Sequence, residues 1–170
     1  GKQELDVLIS TPPCQGMSVA NHKKGNELLR NSLVVESIKL VRDIKPRFFV
    51  FENVRSFLKT TCTDIDGKDR SIGDAIKLNL SGYYHIHSAV INFKDYGCPS
   101  SRTRTLVIGT RKDLKEITPY DIFPSTQPEK TLRQTIGQLP SLRIMGEISP
   151  QDIYHNFKKY SHEMLNWIKD

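Results

Sequence analysis

The sequence predicts an α/β fold that opens with a parallel β-α-β unit and ends its sheet with an antiparallel strand. Two short apolar runs with helical periodicity between them predict the unit. A later apolar run, which begins with two arginines, predicts the last strand. With 170 residues, the chain is long enough to form one domain with its own core.

The β-α-β unit takes up the first third of the chain. Leu5 to Ile9 is a short apolar run that predicts a buried strand, and residues 10–26 predict a long loop. From Arg30 onward, apolar residues recur at helical spacing until Pro46 ends the helix. Residues 47–51, "RFFVF", predict a second buried strand.

The remaining elements follow from turn and cap signals. Residues 60–70 are polar and predict a loop, after which Ser71 is placed to cap a helix that Gly82 closes. Further strands are expected at residues 83–93 and 104–110, and short helices near residues 131–137 and 155–168. Prolines recur after residue 112 and the periodicity weakens, so we divide the chain into 1–112 and an irregular, helical segment 113–170.

Charge gives a weak indication of the partner. The formal net charge of +6 favours a polyanion such as nucleic acid, but a solvated basic surface explains it equally well. No apolar run approaches the ~20 residues of a membrane span, and no signal peptide opens the chain. We therefore expect an intracellular protein without a membrane partner, cytoplasmic in a bacterium and nuclear in a eukaryote.

The three cysteines are odd in number, far apart and without a CxxC pair, which argues against a disulfide framework and a zinc site. Cys62 is interpreted as an incidental thiol in a polar loop, and Cys98 as small packing in a tight turn. The histidines at 85 and 87 fit surface or packing positions. Those at 155 and 162, on the last predicted helix, have no clear third ligand, so no metal is predicted.

Two reactive side chains follow the two strands of the β-α-β unit. Cys14 comes directly after the first strand and Glu52 ends the second, so both are expected at the carboxyl edge of the sheet, where α/β folds bind ligands. Taken alone, Cys14 fits a small buried apolar residue and Glu52 a surface charge. A carboxylate directly after four apolar residues is costly unless it is paired or functional, so the pair favours a site.

The segment "GCPSSRTRTLVIG" brings a third element to this edge. Arg102 and Arg104 are two residues apart, which places them on one face of an extended chain. If the strand they open is antiparallel to the first two, its amino end reaches the same edge. The arginines would then favour a thiolate or bind an anion; the alternative is a charged, solvated edge strand.

Four motifs then occur in a familiar order: "PPCQGMS", "ENV", "YGCPSSRTR" and "VIG". Together with the segment "RNSLVVESIKLVRDIKPRFFVFENV" that ends in the second of them, they resemble motifs IV, V, VI and VIII of the cytosine-5 DNA methyltransferase family. The stretch "TLRQTIGQLPSL" resembles the approach to that family's target-recognition region. The resemblance covers most of residues 5–142 and implies part of a Rossmann-like class I methyltransferase fold.

The resemblance implies roles for individual residues. Cys14 corresponds to the thiolate that adds to carbon 6 of a flipped cytosine, and Glu52 to the group that stabilises ring nitrogen 3. Arg104 corresponds to the arginine near the carbonyl of the flipped base, and Arg102 to its partner.

Four further positions correspond to ligand contacts. Gln15 and Ser18 match the mobile loop that touches double-stranded DNA, and Pro13 and Leu33 match positions that border the methyl donor, S-adenosylmethionine.

Two departures from the family pattern affect what we expect. Ser100 stands where the family usually has glutamine, which we expect to alter local hydrogen bonding. The glycine-rich donor loop does not precede Pro13, and most of the target-recognition region is missing. We therefore expect a fragment that is inactive alone and completed by an N-terminal part or a second subunit.

The first hypothesis is a DNA cytosine-5 methyltransferase fragment from a restriction–modification system. A cytosine-5 methyltransferase of tRNA and a non-catalytic module that binds DNA or a partner stay open. An amino-methyltransferase is disfavoured, because it needs an aromatic residue where Cys14 stands. A redox role for Cys14 lacks a resolving cysteine nearby.

Overall fold

A computed structural model of the chain describes residues 4–13 and 27–167, with side chains from residue 33 onward in the second range. The chain divides into two compact units, Gly1–Glu129 and Lys130–Asp170. The boundary between them lies beyond residue 112, where the sequence changes character.

The first unit is built on a four-stranded sheet in the order β1-β2-β6-β5. Its strands are β1 (Val7–Ser10), β2 (Phe48–Asn53), β5 (Tyr84–Asn92) and β6 (Thr103–Arg111). β1 is parallel to β2, and β6 is antiparallel to both of its neighbours. This confirms the predicted α/β fold and its antiparallel last strand.

Two helices pack their apolar sides against one face of this sheet. They are α1 (Glu27–Ile44) and α2 (Ile72–Leu80). The core contains the following side chains from helices and sheet: Val34, Ile38, Val41, Phe49, Phe51, Ile76, Leu80, Tyr84 and Val107. The predicted cap of α2 is confirmed, since the Ser71 side chain accepts a hydrogen bond from the Asp74 amide.

Close packing between β2 and β6 depends on a glycine. Gly109 lies opposite Phe49 in the register. A Cβ atom at Gly109 would lie 2.0 Å from Cε1 of the Phe49 ring, so any side chain there would displace the ring. Gly109 thus lets the buried Phe49 ring lie against the neighbouring strand.

The first strand is less buried than the sequence predicted. Val7 is 45% exposed and Ile9 69% exposed, while Leu8 packs against the core. β1 lies at the edge of the described sheet, and alternate side chains of a strand point to opposite faces. The prediction of a fully buried strand is therefore wrong for one face.

The polar segment 60–70 is not a loop, as predicted, but a hairpin of β3 (Thr61–Thr63) and β4 (Asp69–Ser71). Gly67 takes a left-handed φ of +78° in its turn. The side chain of Asp64 is 1% exposed and forms an ion pair with Arg70. Buried side chains hold the hairpin against the rest of the unit, although its sequence shows no apolar periodicity.

The described part of the later segment, residues 113–167, contains three short α-helices. They are α3 (Pro119–Ile122), α4 (Leu132–Ile136) and α5 (His162–Trp167). α3 was not predicted. α4 was predicted, and a capping box between Thr131 and Gln134 is present at its start.

The last predicted helix begins later than expected. The segment before α5 consists of turns. In these turns, the Ser149 amide donates to the carbonyl of His155 at 2.9 Å. His155 therefore lies outside the helix that contains His162. No helix within residues 4–13 and 27–167 is long and apolar enough to cross a membrane.

Candidate active site

A carboxylate and a guanidinium meet at the end of the sheet where β1 and β2 finish. Glu52 Oε1 lies 2.8 Å from Arg104 Nε, and the two side chains form an ion pair. The Arg104 side chain is 16% exposed and that of Glu52 is 32% exposed, so the pair is partly shielded from water but open on one side. An ion pair of this kind fixes the orientation of the carboxylate.

Strand register explains why these two residues meet. Glu52 lies opposite Leu106, and Arg104 is two residues before Leu106 on the same face of β6. Glu52 and Arg104 are therefore diagonal neighbours across an antiparallel pair, within reach of long side chains. The expectation that an antiparallel last strand brings Arg104 to the edge with Glu52 is confirmed.

Asn53 joins the ends of β1 and β2, and the sequence analysis missed it. Its Nδ2 donates to the carbonyl of Pro12 at 2.8 Å, and its Oδ1 accepts from the Val54 amide at 2.9 Å. Asn53 is 3% exposed, and its hydrogen bond to Pro12 is buried while that from Val54 is partly buried. Its place beside Glu52 in "ENV" was the available signal, since a buried amide at a strand end needs partners.

Two serines tie the end of β1 to α1. The hydroxyls of Ser10 and Ser37 lie 2.8 Å apart, and Ser37 Oγ donates to the carbonyl of Leu33 at 2.9 Å. The Leu33 side chain is 47% exposed. Pro13 is exposed as well, whereas Pro12 is buried. Leu33 and Pro13 thus present apolar surface near the end of β1.

The chain matches the model of the C-5 cytosine-specific DNA methylase family over residues 1–169. The chain belongs to this family. The family resemblance found in the motifs is thereby confirmed.

Several relatives of this chain are bacterial type II methyltransferases. M.XorII of Xanthomonas oryzae is 32% identical over 89% of the chain and 34% of its own length. M1.HgaI of Avibacterium volantium is 31% identical over 98% of the chain and 45% of its own length. M1.HphI of Haemophilus parahaemolyticus is 36% identical over 96% of the chain and 41% of its own length. The chain therefore spans a third to just under half of these relatives.

A solved structure supports the same fold. A prophage-encoded protein from E. coli, described as a DNA modification methyltransferase, aligns with a TM-score of 0.60 at 27% identity. The alignment covers 86% of this chain and 38% of that protein.

The remaining predicted site residues lie away from the Glu52–Arg104 pair or outside the described residues. Arg102 is exposed and precedes β6, where its carbonyl accepts from the Phe93 amide at 3.0 Å. Cys14, Gln15 and Ser18 lie outside the described residues, so their roles stay predictions. The described residues thus bring together Glu52 and Arg104 of the predicted catalytic set.

The other cysteines differ from their predicted settings. Cys62 lies on β3 and is fully buried; burial, followed by the charge of Asp64, raises the pKa of its thiol to about 11. Cys98 is exposed and does not fill the turn, although its amide donates to the carbonyl of Phe93. Neither residue lies beside Glu52.

The two histidines on β5, His85 and His87, are not arranged as metal ligands. His87 packs against two aromatic rings, with centroids 4.4 Å from Tyr120 and 4.9 Å from Phe123. His85 is exposed. Among the described residues, no group of three or more histidine, cysteine or acidic side chains could hold a metal ion.

Proposed function

We propose that this chain carries part of the active site of a DNA cytosine-5 methyltransferase, acting in a restriction–modification system. The substrate would be a cytosine flipped out of double-stranded DNA, and the methyl donor would be S-adenosylmethionine. Membership of the methylase family gives the reaction class. The observation that carries the proposal is the Glu52–Arg104 pair at the carboxyl edge of the sheet.

Cys14 is assigned the nucleophile. Its thiolate adds to carbon 6 of the cytosine, forms a carbon–sulfur bond and pushes an electron pair through the ring toward ring nitrogen 3. Carbon 5 then becomes able to attack an electrophilic methyl group. Loss of the proton on carbon 5 and breakage of the carbon–sulfur bond restore the aromatic ring and the thiolate.

Glu52 is assigned the contact to ring nitrogen 3. Its Oε1 is engaged by Arg104 at 2.8 Å, so Oε2 is the oxygen that would meet the base. In this role the carboxyl group shares a proton with ring nitrogen 3 as charge develops there. Arg104 orients that carboxyl and is placed to contact the carbonyl oxygen of the base.

The residues near the end of β1 fit a methyl donor with apolar portions. Leu33 and Pro13 are exposed, and the Ser10–Ser37 contact connects β1 to the turn of α1 that carries Leu33. Bound S-adenosylmethionine would supply an electrophilic methyl group on its sulfonium sulfur. Gln15 and Ser18 are assigned contacts to the DNA backbone.

A covalent trap tests the proposal. Duplex DNA that contains 5-fluorocytosine is mixed with S-adenosylmethionine and with the protein, both as this chain and as the longest polypeptide that its gene encodes. Fluorine at carbon 5 cannot leave as a proton does, so the cysteine adduct should accumulate. Mass spectrometry should then place the adduct on Cys14.

The matched control is Cys14→Ser, compared with Cys98→Ser at an exposed position. The first should abolish the adduct and the second should preserve it. A parallel reaction with 5-fluorocytosine RNA separates a tRNA enzyme from a DNA enzyme. If neither nucleic acid forms an adduct with the longest polypeptide, the proposal is wrong and a non-catalytic module is favoured.

A further inference from the structure

Thr105 lies on β6 directly after the candidate-site residue Arg104. Its side chain is fully buried, and Oγ1 lies 3.0 Å from the carbonyl oxygen of Val54 and 3.2 Å from that of Arg55. Most buried hydroxyl groups in proteins have a hydrogen-bond partner. Here it donates to the turn that immediately follows Glu52 and Asn53.

The register makes this contact important for Arg104. β2 ends at Asn53, and Asn53–Thr105 is the last residue pair between β2 and β6. Arg104 lies one residue beyond that pair, while on its other side it is still paired with Ile91 of β5. The hydrogen bonds of the Thr105 hydroxyl extend the contact between β6 and the chain that follows β2 beyond this last pair.

We propose that Thr105 is a positioning residue that holds β6 against the turn after β2 and so sets the contact between Glu52 and Arg104. The side chain of Thr105 points to the opposite face of the sheet from Arg104, so it acts through the backbone and does not touch the substrate. The kinetic consequence of this proposal rests on the proposed function. The geometric consequence does not.

The same strand provides a matched comparison. Thr110 is also fully buried on β6, but its Oγ1 has no hydrogen-bond partner among the described residues. Thr→Val at either position removes a buried hydroxyl at nearly constant volume. At Thr105 it also removes a donor from the Val54 and Arg55 carbonyls, of which Val54 keeps the Phe57 amide at 3.0 Å. At Thr110 it removes no hydrogen bond among the described residues.

The direct measurement is the exchange of the Arg104 Nε–H proton with water, followed by ¹H–¹⁵N NMR. In the wild type, the ion pair with Glu52 and the low exposure of the Arg104 side chain slow this exchange. Thr105→Val should accelerate its exchange about tenfold, because a lost buried hydrogen bond is of that order in an equilibrium. Thr105→Ser keeps the hydroxyl and should stay within about twofold of the wild type, as should Thr110→Val.

Thermal unfolding of each variant separates positioning from general loss of stability. Equal exchange rates for Thr105→Val and Thr110→Val would overturn the proposal. Should Thr105→Val not fold, Thr105→Cys replaces it, since a thiol is a weaker donor. An intermediate exchange rate would then support the proposal, and a wild-type rate would refute it.

The longest polypeptide of the gene adds a kinetic readout. Thr105→Val should lower kcat for methyl transfer with KM for DNA unchanged, and Thr105→Ser should restore kcat. A wild-type protein that forms no covalent adduct would refute the proposed function. The exchange comparison would still decide whether Thr105 positions Arg104.

Discussion

Asn53 donates from Nδ2 to the carbonyl oxygen of Pro12 at 2.8 Å, which joins the carboxyl ends of two parallel strands. Pro12 is two residues before Cys14, so this hydrogen bond anchors the chain just ahead of the predicted nucleophile. Asn53 also follows Glu52 directly. One buried amide thus connects the backbone leading to the thiol with the strand that carries the carboxylate.

Replacement of Asn53 by leucine should destabilise the first unit and slow adduct formation at Cys14. Leucine is similar in size but leaves the Pro12 carbonyl and the Val54 amide without partners, at a cost of about 1–3 kcal/mol. Urea unfolding measures the first effect and the 5-fluorocytosine trap the second. Asn92→Leu is the control, because its longer contact of 3.3 Å to the Lys94 amide is only partly buried. Equal losses of stability would contradict a special role for Asn53.

Glu52→Gln should preserve folding and DNA binding but slow adduct formation by about 10²–10⁴-fold, the usual contribution of a general acid or base. Glutamine keeps the shape of the side chain but cannot deliver a proton to ring nitrogen 3. Adduct rate is measured by the trap and DNA affinity by fluorescence polarisation. Glu36→Gln, which breaks an exposed ion pair with Lys39, should leave both unchanged. A wild-type rate for Glu52→Gln would remove Glu52 from the mechanism.

The sheet could be predicted from sequence patterns, because the signals for its strands are local in sequence. Four apolar residues before Glu52 predicted β2, and two arginines before an apolar run predicted β6. The meeting of Glu52 and Arg104 then followed from strand direction alone. The ends of elements were less predictable, since Asn53 continues β2 although its side chain is polar.

The hairpin and the buried polar contacts could not be predicted, because the burial of each depends on packing against other elements of the fold. Cys62 and Asp64 lie in a polar stretch that reads as a loop, yet both are buried. Thr105 is typical of any strand, and only its contact with a turn 50 residues earlier distinguishes it. Buried polar groups obtain their partners from tertiary structure, which local periodicity does not encode.

Arg70→Met should lower the free energy of unfolding by about 3–5 kcal/mol, because it leaves the buried Asp64 carboxylate without its guanidinium. Asn79 Nδ2 donates to both Asp64 oxygens, at 2.9 and 3.1 Å, and does not neutralise the charge. The double variant Arg70→Met/Asp64→Asn should recover most of the loss. Lys39→Met, at an exposed ion pair, should cost under about 1 kcal/mol. A double variant no more stable than Arg70→Met would contradict this account.

Alkaline pH should destabilise the first unit through Cys62. Burial raises the pKa of this thiol from 9.0 to about 11, so below pH 9 the folded and unfolded states both hold the proton. Between pH 9 and 11 the unfolded state releases it first, and stability falls by up to about 1.4 kcal/mol per pH unit. Burial also raises the pKa of Tyr84 from 10.0 to about 12, which adds a second loss above pH 10.

Urea midpoints at pH 8, 9 and 10 isolate the contribution of Cys62, because Tyr84 enters only at the upper end of that range. Cys62→Ala should lower stability at pH 8 through the lost packing, yet flatten the decline between pH 9 and 10. Cys98→Ala, at an exposed thiol, should leave the decline unchanged. The same burial should keep Cys62 unlabelled by iodoacetamide at pH 8 while Cys98 reacts. A Cys62→Ala protein with the same pH dependence as the wild type would show that the decline arises from other groups.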